Sequence, residues 1–93
     1  MAVTITGDKI LVLSGGTGAV SSMQLRISRI RWVSKTASAG DTCVLSDSAG
    51  QVIFESSATG ADWSDETDMK DVQMVNGLAV TTLTSGNVYV TLK

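Results

Sequence analysis

Apolar and polar residues alternate with a period of two along most of this chain. Gly, Asn, Asp or Ser interrupts that alternation about every 8 to 12 residues, a rhythm that predicts short β-strands joined by tight turns. Val3 and Ile5 alternate with Thr4 and Thr6, Gly7-Asp8 supplies a turn, and residues 9–13 follow as an apolar run, so a first hairpin is expected. Ser14-Gly15-Gly16-Thr17-Gly18 reads as a flexible loop.

The next segment carries the clearest signal. Met23, Leu25 and Ile27 share one face, with Gln24, Arg26 and Ser28 on the other, but the apolar face then continues from even positions at Ile30 and Trp32. A regular strand cannot change parity, so a bulge near Ser28-Arg29 is expected, bending the strand around a small core. Positions 23, 27 and 30 also suit a helix, yet the β-branched Ile27, Ile30 and Val33 favour a strand. Residues 42–46 and 51–55 form two short strands around Asp47-Ser48-Ala49-Gly50, with Asp and Gly placed for a type I turn followed by a left-handed glycine.

Residues 56–68 are polar and acidic and read as a loop holding at most a short helical turn. Residues 69–75 alternate again, Asn76-Gly77 is a two-residue hairpin signal into 78–83, and Ser85-Gly86 turns the chain into 87–92. That makes a terminal three-stranded meander. About eight strands predict one antiparallel β-sandwich domain over residues 1–93, jelly-roll-like, with a small β-barrel as the alternative. Residues 1–25 are either an arm or a hairpin.

Composition narrows the function classes. The 93 residues include no histidine, no proline and one cysteine, and 17% are charged, below the roughly 25% of an ordinary domain. Catalytic acid–base pairs and metal sites usually recruit histidine, so a non-enzymatic protein is expected, with no cofactor. A sparsely charged surface suits a module covered by partners or by its own copies. The net charge of −2 argues against nucleic-acid binding, and Cys43 in its apolar run reads as a small core residue. The N-terminus has no basic stretch and no long apolar run, so neither a signal peptide nor a membrane span is expected, and synthesis is placed in the cytoplasm.

Two charged segments stand out. Residues 26–35 carry +4 from Arg26, Arg29, Arg31 and Lys35; residues 62–71 carry −4, from Asp62, Asp65, Glu66, Asp68 and Asp71 less Lys70. The acidic segment either docks on the basic strand of its own subunit or on that of a neighbour. Asp62, Asp65, Glu66 and Asp68 are weak candidate calcium ligands, since their spacing is not that of an EF-hand, and a solvated acidic loop is the favoured explanation. Trp63 within the polar segment either folds onto the core or anchors a partner, whereas Trp32 is expected in the core. The expected interface is therefore Trp63, Arg26, Arg29, Arg31, Asp65 and Asp68. Gly15-Gly16-Thr17-Gly18 lacks the Lys-Ser/Thr of a phosphate loop.

Arg31-Trp32-Val33, Ala39-Gly40-Asp41, the run from Asp47-Ser48-Ala49-Gly50 through Gln51-Val52-Ile53-Phe54, and Leu83-Thr84-Ser85-Gly86-Asn87-Val88-Tyr89-Val90 resemble the small all-β virion proteins of tailed bacteriophages. The resemblance spans residues 26–92. It implies a capsid decoration (cement) protein or another small head or tail component, located in the virion. Its partners would be the major capsid or another virion protein and further copies of the chain. The alternative is a carbohydrate-binding or fibre module using Trp63, Tyr89 or Trp32 as a stacking platform. A small enzyme using the carboxylates ranks last.

Overall fold

The computed structural model describes residues 2–6 and 9–92, with the side chains of residues 2, 5, 6 and 68–75 left out of the description. Seven strands follow in order: β1 (Ala2–Thr6), β2 (Ile10–Ser14), β3 (Gly18–Ser34), β4 (Thr42–Ser46), β5 (Val52–Ser57), β6 (Trp63–Leu83) and β7 (Asn87–Leu92). They form one antiparallel sheet in the order β1-β2-β7-β3-β6-β4-β5. The all-β, sandwich-like fold expected from the alternation is therefore present. The sheet does not close into a barrel: β1 and β5 are its edges.

Two long strands fold this sheet over on itself. β3 and β6 run antiparallel from Ser34↔Trp63 to Gly18↔Val80, with register shifts between Ala19 and Ser21, Ser21 and Gln24, and Ile27 and Arg29. Beyond these irregularities the strands change neighbours. The second half of β3 pairs with β7, which pairs with β2, whereas the end of β6 pairs with β4. Side chains from both groups enter a single core, with Leu11, Leu13, Ile30, Trp32, Val88 and Val90 from one side and Cys43, Leu45, Phe54, Leu78 and Val80 from the other. A flat seven-stranded sheet would place β2 about 20 Å from β4 and could not share a core between them. The radius of gyration, 12.2 Å, equals the ~12 Å of a folded domain of this length.

The parity break in β3 is resolved as expected. The register shifts between Ile27 and Arg29 in both ladders, and Ile27, Ile30 and Trp32 are all fully buried. The β4–β5 turn also has the expected form: Gly50 donates to the Asp47 carbonyl (3.1 Å) at φ +85°, and Asp47 Oδ1 accepts from the amides of Ala49 (3.0 Å) and Gln51 (2.9 Å). β1 and β2 pair as a hairpin from Thr6↔Ile10 to Ala2↔Ser14, and β2 continues onto β7. The Gly7-Asp8 turn lies outside the described residues.

Three expectations are corrected. Asn76-Gly77 is not a hairpin turn but lies inside the continuous strand β6. Gly77 adopts φ +86°, as it would in a turn, but here the backbone carries on past the β4–β5 turn, whose Ser48 donates its amide (3.0 Å) and hydroxyl to the Asn76 carbonyl. Second, the terminal meander is absent, because β7 lies between β2 and β3 rather than beside β6. Third, the loop is shorter than the expected 56–68: β5 runs to Ser57 and β6 begins at Trp63, so only residues 58–62, Asp62 among them, form the connection, and Asp65, Glu66 and Asp68 extend along a strand. Their charge is tolerated there because β3 sets arginines opposite.

Cys43 is fully buried and its thiol is pushed up to about 12 by loss of hydration. A thiol that is both protonated and enclosed should not react with Ellman's reagent in native buffer, and should react stoichiometrically in denaturant. Rapid labelling of the folded protein would contradict the burial.

Candidate functional site

Alternation decides which side chains leave the core. Leu11 and Leu13, Val88 and Val90, and Ile30 and Trp32 point inward. Their neighbours Ile10 and Val12 on β2, Tyr89 and Thr91 on β7, and Arg29 and Arg31 on β3 therefore face out. The ladders align them in two rows. One runs Val12, Tyr89, Arg31, Glu66; the other runs Ile10, Thr91, Arg29, with the backbone of Asp68 beyond. Ile10, Arg29, Arg31, Tyr89 and Thr91 line a shallow open groove of about 230 Å³.

The basic and acidic segments thus meet within one subunit. Arg31 pairs with Glu66 and Arg29 with Asp68 in register, and Arg29 Nε lies 3.9 Å from Glu66 Oε1. Both side chains of that ion pair are roughly half exposed, so it contributes about 0–1 kcal/mol. Arg26, also exposed, extends the basic row on the other side of the bulge.

Among the described residues the acidic side chains do not converge. Asp65 and Glu66 are adjacent in a strand and so take opposite faces. Glu66 joins the outer face. Asp65 turns toward the sandwich rim, accepting from Ser56 Oγ (2.7 Å) and the Glu66 amide (2.9 Å). Asp62 is exposed at φ +54° in the preceding connection, with its amide bonded to the Lys35 carbonyl (3.2 Å). The Asp68 side chain lies outside the described residues. Among the described residues no three acidic, His or Cys side chains gather as a metal site. Trp63, at the start of β6, is partly buried against the core, and its indole N–H donates to Ser56 Oγ (3.3 Å). Its ring is therefore partly committed inside the subunit.

A polar clasp at one end of the sandwich was not visible in the sequence. Asp41 Oδ2 accepts from the Ser38 amide (3.0 Å) and from Ser85 Oγ (2.9 Å). Ser85 Oγ also lies 2.8 Å from Ser34 Oγ, and the Ser85 carbonyl accepts from Trp32 Nε1 (2.9 Å). The clasp ties the end of β3, the β3–β4 loop and the β6–β7 turn together. The Ser38 amide first, then the Ser85 hydroxyl, hold the Asp41 carboxyl below its ordinary 3.8, against a small opposing effect of burial. A carboxyl with a depressed folded-state pKa stabilises the fold fully above about pH 4, and that contribution is lost as pH falls through the folded value. Denaturant midpoints measured from neutral pH down into that range should fall less steeply for Asp41→Asn than for the parent. Identical acid limbs would contradict the clasp.

Guanidinium groups remain charged throughout the physiological range and bind carboxylate or phosphate oxygens through paired N–H donors, but they do not shuttle protons. Position 89 was legible as an outward ring from the alternation of 87–92, whereas its placement beside Arg31 depended on a strand pairing that nothing local encodes. Compared with known proteins, the chain matches no family model, no curated protein and no solved structure.

Proposed function

We propose that this chain is a non-enzymatic assembly module, a virion component of the capsid-decoration type, that docks on a protein lattice or on its own copies. The observation that carries the reading is the open sheet. β1 and β5 are both edges, and β5 presents Val52, Glu55 and Ser57 to solvent with one charge and no proline among its six residues. Natural edge strands are usually guarded by lysine, proline or a bulge, because unpaired N–H and C=O groups recruit further strands. The ladder of β5 with β4 shifts register at Ile53, but neither lysine nor proline guards that strand, and so lightly guarded an edge suits a protein whose edges are covered in its working state, through strand addition. Val52, half exposed, and Val3 add apolar surface at both edges. The resemblance to small virion proteins of tailed phages points the same way, with the major capsid protein as the natural lattice.

Amide hydrogen exchange tests this reading at the edges themselves. With rising protein concentration, or on adding the lattice, the outward-facing amides of β5 or β1 should slow by at least tenfold while the exposed turn at 47–50 does not. Edge amides that exchange identically under all these conditions would contradict it. The sugar-binding alternative retains Tyr89 as its outward ring, since Trp32 is enclosed and Trp63 partly so.

A further inference from the structure

We infer that the outer groove of β3 and β7 docks an extended acidic segment of the partner protein, with its carboxylates on Arg29 and Arg31. This deepens the assembly reading and rests on it. Arg29 and Arg31 lie two residues apart on one face of a strand, so their Cα atoms are separated by about 6.6 Å. An extended peptide with Asp or Glu at alternate positions presents carboxylates at that same repeat, which lets each guanidinium take one carboxylate through two parallel N–H donors. Thr91 and Tyr89 sit opposite the two arginines and add a hydroxyl, a phenol and a ring face, while Ile10 forms an apolar rim. The groove is shallow and open, which fits a strand-like chain lying across it rather than an enclosed small molecule.

The subunit already holds a stand-in for such a segment. Glu66 lies beside both arginines, and at 3.9 Å from Arg29 Nε it is beyond hydrogen-bond distance and half exposed. An incoming carboxylate with better geometry competes with Glu66 for the two guanidinium groups. Until then Glu66 keeps the basic row partly neutralised, which suppresses indiscriminate binding of polyanions. The net charge of −2 acts in the same direction at long range, so capture of an acidic segment relies on the local pair of arginines rather than on long-range attraction.

The test is an NMR titration of the whole chain with a capped octapeptide of alternating Glu and Thr. An alternating Lys and Thr peptide and a sulfated oligosaccharide serve as comparisons. The acidic peptide should shift the resonances of Arg29, Arg31, Tyr89 and Thr91, with an affinity that falls as salt rises. The double variant Arg29→Gln/Arg31→Gln should lose at least tenfold in affinity while still folded by far-UV dichroism at the titration temperature, and Glu66→Gln, which removes the competitor, should tighten binding. Absence of binding, shifts confined to another face, unchanged affinity in the double variant, or weaker binding by Glu66→Gln would overturn the inference. Equal binding of the sulfated oligosaccharide at the same residues would also overturn it, in favour of a glycan site. Edge protection that persists in the double variant, without peptide binding, would sink this inference alone and leave the assembly reading standing.

Discussion

Replacing Trp32 with alanine should lower the unfolding free energy by about 4 kcal/mol, within the range for truncating a buried Trp or Phe. Trp32 is the largest fully buried side chain. It sits where the bent strand β3 faces β7 and β6, so its loss opens a cavity where both halves of the sandwich meet. The substitution also removes the indole N–H donated to the Ser85 carbonyl. A domain of this length has a total stability of about 5–14 kcal/mol, so the variant should be marginal at room temperature. Urea unfolding followed by far-UV dichroism measures the change directly. Trp32→Phe should recover part of the loss, because it restores most of the volume and none of the hydrogen bond. A Trp32→Ala midpoint equal to the parent's would contradict the core assignment.

Gly86→Ala should cost on the order of 3 kcal/mol, a loss out of proportion to one added methyl group. At Gly86 the chain leaves β6 and crosses the end of β3 to begin β7. A Cβ there would lie 2.3 Å from the Val33 carbonyl oxygen and 2.5 Å from Ser34 Cβ, and φ is +76°. The left-handed conformation alone costs a non-glycine residue about 1–2 kcal/mol, and overpacking against backbone adds about 1–3 kcal/mol. Neither neighbour can give way easily, since Ser34 is held by Ser85 and Val33 is paired in two ladders. The same denaturation experiment applies. A change below 1 kcal/mol would mean that the crossing does not run as described. Ala at Gly50, where no atom lies within 4 Å of the added Cβ, isolates the conformational cost from the steric one.

What the sequence revealed and what it hid divide along a physical line. Signals that depend on strand parity or on a turn's own residues were legible: the bulge after Ile27, the Asp47–Gly50 turn, the first hairpin, and the burial of Trp32. Asn76-Gly77 misled because a positive φ serves equally in a two-residue turn and in an irregular strand. Only the Ser48 contacts, which come from a turn distant in the chain, favour the latter. The acidic stretch read as a loop because a run of carboxylates is a poor strand in isolation; it becomes a strand when Arg29 and Arg31 stand across the ladder. Trp63 was assigned to that loop for the same reason. The outer groove needs β2, β7 and β3 side by side, an order that skips over sequence neighbours, so its residues were visible singly and not as a site.

The proposed assembly role rests on the open edges of the sheet. Light scattering coupled to size-exclusion chromatography, over a wide range of loading concentrations and with the candidate lattice protein added, tests it most directly. The account predicts a mass that rises with concentration to a discrete oligomer, or one that shifts to the mass of a complex when the lattice protein is present. Val52→Lys on the exposed edge should reduce either association. A strictly monomeric mass under all these conditions, unchanged by the edge substitution, would contradict the account.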